Sequence, residues 1–171
     1  SKMLIADLLD EVDSLGSDKA LGAAYNAQGI FYYYGSQFDS ALYWFELAVR
    51  HREAAKDFEG LAKVLSNIGG IHFMRQEYKH AMIQFEKARK VEEQLGKEPG
   101  TYVSLNNLGT LYREMEIYPK GESYYRKGIE LYGRRNDLDN LSGSYDGLSG
   151  VFSDRHQTDS AMHYAILARD A

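Results

Sequence analysis

Residues 105–128 read LNNLGTLYREMEIYPKGESYYRKG, and the positions of three small residues in this stretch, Gly109, Gly121 and Gly128, decide the fold. The same three offsets recur every 40 residues: Gly29, Ala41 and Ala48 upstream, then Gly69, Ala81 and Ala88, and finally Ser149, Ala161 and Ala168. A fixed period of this length marks stacked supersecondary units, each of which buries its apolar face against the next. We therefore expect one array over residues 1–171, with repeats at 21–60, 61–100, 101–140 and a shorter fourth at 141–171.

Within a unit the apolar residues follow helical spacing, as in Leu65, Ile68 and Ile71, and do not alternate as in a strand. The first helix of each unit should break near Gly35-Ser36, Arg75-Gln76, Glu114-Met115-Glu116 and Asp154-Arg155-His156. A second apolar periodic run follows each break. Small residues three, four or seven apart lie on one stripe of a helix and let a neighbouring backbone approach, so each unit reads as an antiparallel helix pair. The segments between units, Lys56 to Gly60, Gly96 to Gly100 and Asn136 to Asn140, are built of turn and capping residues. Asp57 and Asp137 are placed to accept bonds from the first-turn amides of the helices that follow, whereas Asp159 should lie at or just inside its helix.

Composition supports a packed array. Hydrophobic residues make up 44% and aromatics 13%, with 14 Tyr and 7 Phe, enough apolar surface for a continuous core. A net charge of -5 gives no electrostatic case for nucleic-acid binding. No run of 18 apolar residues is present, so no membrane insertion by this segment is expected. The absence of cysteine removes disulfides, thiolate metal sites and cysteine nucleophiles within these residues and leaves the compartment open, with the cytoplasm as the default expectation.

The register resembles the tetratricopeptide repeat, whose pattern pairs Leu-Gly with Tyr three residues on, then Ala, an aromatic and Ala. The third unit carries it as Leu108, Gly109, Tyr112, Tyr118, Gly121, Tyr125 and Gly128. The second has Ile68, Gly69, His72, Tyr78, Ala81, Phe85 and Ala88; the first has Gln28, Gly29, Tyr32, Phe38, Ala41, Phe45 and Ala48. The fourth diverges most, with Ser149, Thr158 and Ala165 at the glycine, aromatic and second aromatic positions. The longer period is similar to that of kinesin light chains, cell-polarity adaptors and bacterial sensor and peptide-receptor proteins. The resemblance implies an all-α, right-handed superhelical solenoid of antiparallel helix pairs. On the same register Met3 to Leu15 is expected to be the second helix of an incomplete preceding repeat, or else an unrelated capping helix, and Ala171 to fall inside a helix of an array cut from a longer protein.

The resemblance further implies a concave groove lined by the first helices. By offset, the groove residues are Asn26, Tyr33 and Tyr34 in the first unit, and Asn67, Phe73 and Met74 in the second. Asn106, Asn107 and Arg113 follow in the third, and Asp146 in the fourth. Asn67 and Asn107 are the leading candidates, because an Asn amide offers the donor and acceptor that an extended peptide needs; the alternative is bonding to neighbouring helices. Arg113 is suited to a carboxylate or phosphate, or to pairing with Glu114, Glu116 or Asp154. Gly143, Gly147 and Gly150 share one side of a helix, and either pack against a following unit or leave room for a ligand group. The groove should grade from aromatic to polar and acidic, while Tyr32, Tyr112, Phe45, Phe85 and Tyr125 are core.

No residue pattern rises to chemistry. No two of the five histidines, His51, His72, His80, His156 and His163, have the four-residue spacing of a helical zinc site. His72 stands at a core Tyr position and reads as a satisfied, partly buried imidazole. We expect no cofactor, no metal and no enzymatic activity. The expected function is a protein- or peptide-interaction module, part of a larger bacterial signalling or regulatory protein. Two alternatives are a structural assembly segment that self-associates through exposed repeat ends, and an accessory sensor controlling an enzymatic or DNA-binding domain outside this chain.

Overall fold

A computed structural model describes residues 17–95 and 103–171. The expected helix at Met3 to Leu15 and the connection from Gly96 to Gly100 lie outside the described residues. Every element among the described residues is a helix: α1 (Asp18–Tyr34), α2 (Phe38–Ala54), α3 (Phe58–Met74) and α4 (Tyr78–Gln94), then α5 (Ser104–Glu114), α6 (Tyr118–Arg135), α7 (Leu138–Asp154) and α8 (Thr158–Asp170). Consecutive helices pack in pairs, α1 on α2, α3 on α4, α5 on α6 and α7 on α8. This is the architecture of a helical-repeat solenoid. The chain divides into two compact units, Ser1–Gly100 and Thr101–Ala171.

The turn inside each pair is the same object four times. Gln37 N–H donates to Tyr32 O, Glu77 to His72 O, Ile117 to Tyr112 O and Gln157 to Phe152 O, at 2.8–2.9 Å. The residue before each donor, Ser36, Gln76, Glu116 or His156, has φ between 56° and 60°. This pairing of a left-handed residue with a six-residue backbone bond satisfies the last carbonyls of the helix and stops it. Lys56 and Asn136 end α2 and α6 in the same way, with φ of 52° and 55°. Asp57 and Asp137 cap the helices that follow, accepting from Gly60 N–H at 3.1 Å and Asn140 N–H at 3.3 Å.

The first unit is built on Ala41, Phe45, Ala48, Val64, Ile68 and Ile71. A Cβ at Gly29 would stand 2.5 Å from Phe45 Cδ1, and one at Gly69 would stand 2.5 Å from Phe85 Cε1. The repeat glycine therefore exists to admit the aromatic ring of its own partner helix. Behind this core, Arg52 lies across Gly22 and Gly60 and pairs with Asp57; the two side chains are only 13% and 11% exposed.

The second unit is built on Tyr125, Leu148, Val151 and Phe152. A Cβ at Gly109 would stand 2.7 Å from Tyr125 Cε1, as in the first unit. In the α7–α8 pair the sizes are exchanged: Ser149 replaces the glycine, Ala165 replaces the ring, and Ser149 Oγ donates to Ala161 O at 2.9 Å. Two aromatic pairs share the register, Tyr112 on Tyr124 and Phe152 on Tyr164, with centroids 5.5 Å and 5.4 Å apart and planes within 6°.

Candidate functional site

In the first unit the candidate residues lie on α1 and α3, helices that touch one another directly. Their charge is confined to the first two turns, Asp18 and Lys19 on α1, Glu59 and Lys63 on α3; beyond these the only titratable groups are tyrosines and His72. Lys63 is already paired with Glu59 at 2.7 Å. Asn67 Nδ2 donates to Asn26 Oδ1 at 3.2 Å, joining the two helices at mid-face. That single bond leaves Asn26 Nδ2 as a donor and Asn67 Oδ1 as an acceptor, on two residues that are each half-buried.

Toward the C-terminal ends, Tyr34 is 82% exposed, Met74 60% and Phe31 41%. Tyr33 and Phe73 are half-buried, each packed at 6.0 Å on the first residue of the next helix, Phe38 and Tyr78. Tyr33 also meets Tyr34 edge-on at 5.6 Å. Beside this end, the charged groups are engaged: Arg75 with Asp39 at 2.6 Å, and His72 Nδ1 with Glu77 at 2.5 Å. The His72 contact holds the exposed Glu77 carboxyl below its usual range, against the opposing effect of desolvation. His72 is thus a partnered imidazole at a core position.

In the second unit the same positions are consumed by packing. Asn106 Nδ2 donates to Asn140 O at 2.9 Å, and its Oδ1 accepts from the buried Ser144 Oγ at 2.6 Å. This asparagine holds α5 to α7. Arg113 makes a two-point pair with Asp154, Nε to Oδ2 at 2.6 Å and Nη2 to Oδ1 at 3.2 Å. That bond strengthens the arginine's hold on its proton despite partial burial. Asn107 is half-buried with no side-chain hydrogen bond among the described residues, and Asp146 is exposed.

The three α7 glycines receive these same side chains. A Cβ at Gly143 would lie 3.2 Å from Asn106 Nδ2, one at Gly147 would overlap the Tyr125 ring, and one at Gly150 would lie 2.5 Å from Arg113 Nη1. They pack against the preceding helix pair, which was neither of the two roles expected from sequence. Tyr125 reaches across to bond Thr110 Oγ1 at 2.9 Å, and its burial raises the phenol's pKa in spite of that bond.

Among the described residues no cluster of three His, Cys, Asp or Glu side chains is placed to hold a metal ion. No helix among them is long and apolar enough to cross a membrane.

No family model matches the chain, and no curated protein matches it. Among solved structures it is similar to the crystal structure of BtubC (BKLC) from P. vanneervenii, with a TM-score of 0.75 and 19% identity over 90% of this chain. The match covers 63% of that protein, so this chain spans less than two thirds of its length. At this identity the likeness is one of fold: a helical-repeat array.

Proposed function

We propose that this chain is a protein-interaction module of the tetratricopeptide kind, without catalytic activity of its own, that binds an extended partner segment along the face of α1 and α3. The reading rests chiefly on the Asn26–Asn67 pair. It keeps an unengaged amide nitrogen and an unengaged carbonyl oxygen at mid-face, the complement of a peptide unit, about two helical turns from the exposed Tyr34 and Met74. Either amide can act as the donor, and both arrangements leave one nitrogen and one oxygen unengaged. A place in a larger bacterial signalling or regulatory protein is the context in which such a module would act.

The test is to titrate peptides recovered by display on the full chain against Asn67→Ala. Loss of a bonded amide should weaken binding about fivefold to tenfold. Unchanged affinity would remove the amide pair from the site.

One observation favours assembly as a second reading. On α8, Met162 is 61% exposed and Ile166 44%, where α6 carries Glu122 and Arg126 at the equivalent positions. Those α6 residues engage the next pair, Glu122 with Arg155 and Arg126 with Tyr164.

A further inference from the structure

The corresponding residues of the two units differ in one place that bears on the ligand. Gly150 on α7 is covered by Arg113, the side chain 37 positions earlier, and Asp154 completes the pair. At the same register in the first unit stand Gly70, Tyr33 and Met74. A Cβ on Gly70 would meet nothing within 4 Å. Tyr33 packs instead on Phe38 and Tyr34, so the seat that Arg113 fills in one unit is open in the other.

The surroundings of that seat fix the chemistry of its occupant. Met74 stands where Asp154 stands, so the carboxylate that pairs with Arg113 has no counterpart on α3. Of the described cationic or basic groups on α3 and at its end, Lys63 is held by Glu59, Arg75 by Asp39 and His72 by Glu77. Beyond Lys19 and Lys63, α1 and α3 carry no Asp, Glu, Lys or Arg, so an ion of either sign gains no counter-charge from these two helices there. An apolar side chain would gain contact with Met74, one turn along α3, which now faces water, and an aromatic ring would add a sulfur contact.

Resting on the proposed peptide-binding role, we infer that the partner is an uncharged extended segment that seats one bulky apolar or aromatic side chain above Gly70, its backbone held by Asn26 and Asn67.

Two variants make this testable without risk to the fold. Gly70→Leu fills the seat, and Gly133→Leu on α6 is its control, because a Cβ there also meets nothing within 4 Å. Leucine favours the helix over glycine at both positions. The immobilised full chain is panned against short random peptides on phage, and the recovered sequences are synthesised and titrated. The expected result is peptides rich in Phe, Trp, Leu or Met and poor in charge, weakened about tenfold or more by Gly70→Leu and changed by less than about twofold by Gly133→Leu. Peptides that bind α1 and α3 but are selected for charge, or that ignore Gly70→Leu, would overturn this inference and leave the peptide-binding role standing. A chain that dimerises in sedimentation and is split by Gly70→Leu would put a second copy in the seat and overturn it too. Failure to recover any peptide would overturn both.

Discussion

The ring of Tyr125 on α6 lies directly over Gly147 on α7, in the space where a side chain at that position would begin. The corresponding residues in the earlier repeats are Ala27, Asn67 and Asn107, so the glycine is a local response to this ring and not a property of the repeat. Glycine costs a helix about 1 kcal/mol relative to alanine, which a tight packing contact can outweigh.

Gly147→Ala should therefore destabilise the protein by about 1–3 kcal/mol, the usual cost of overpacking, despite its better helix propensity. Gly133→Ala, with nothing within 4 Å of its Cβ, should have the opposite sign and stabilise by up to about 1 kcal/mol. Urea unfolding of the two variants checks the pair of signs.

Asn106 and Asn107 are neighbours in sequence with separate fates. Asn106→Ala removes bonds to Asn140 O and Ser144 Oγ and should cost about 2 kcal/mol, leaving peptide affinity alone. Asn107→Ala should change stability by less than about 0.5 kcal/mol. Thermal melts alongside peptide titrations separate the two.

Glu116 is exposed and sits in the left-handed region with φ 59°. That conformation costs a non-glycine residue about 1–2 kcal/mol, part of which glycine returns as greater freedom in the unfolded chain. Glu116→Gly should stabilise by about 0.5–1 kcal/mol. A calorimetric midpoint that fell would contradict the turn assignment.

Burial alone would raise the Asp57 carboxyl, but the Gly60 N–H, the Arg52 guanidinium and the charge of Lys19 together hold it below its usual 3.8. The unfolded chain then takes up this proton more readily than the folded one. The stabilisation is present above about pH 4 and is lost as pH falls through the lower folded value. Asp57→Asn keeps a good helix cap and removes only the charge, so it should cost about 2 kcal/mol at neutral pH and flatten the loss of stability on the acid side. Denaturation midpoints measured from pH 7 down to pH 3 give both results.

The period was legible because packing repeats: Gly29, Gly69 and Gly109 each admit a ring, and each ring comes from the same offset. Helix breaks and the two aspartate caps were legible for the same reason, as local chemistry with short reach. The offsets could not tell groove from interface at Asn106 and Arg113, because their partners, Ser144 and Asp154, lie 38 and 41 residues away. A clue was present in the sequence: glycines at 143, 147 and 150 accompany larger side chains at 106, 125 and 113, a compensation visible only once the adjoining helices are known. Asn107 is half-buried without a side-chain hydrogen bond among the described residues, Tyr34 and Met74 are exposed, and the open seat at Gly70 had no sequence signal beyond the glycine itself.

Amide hydrogen exchange on the full chain, with and without a recovered peptide, tests most directly whether α1 and α3 form the docking face. Slowed exchange over residues 26–34 and 66–74, with α2 and α4 unchanged, is the predicted result. Protection confined to α2 and α4, or to α5–α8, would contradict it.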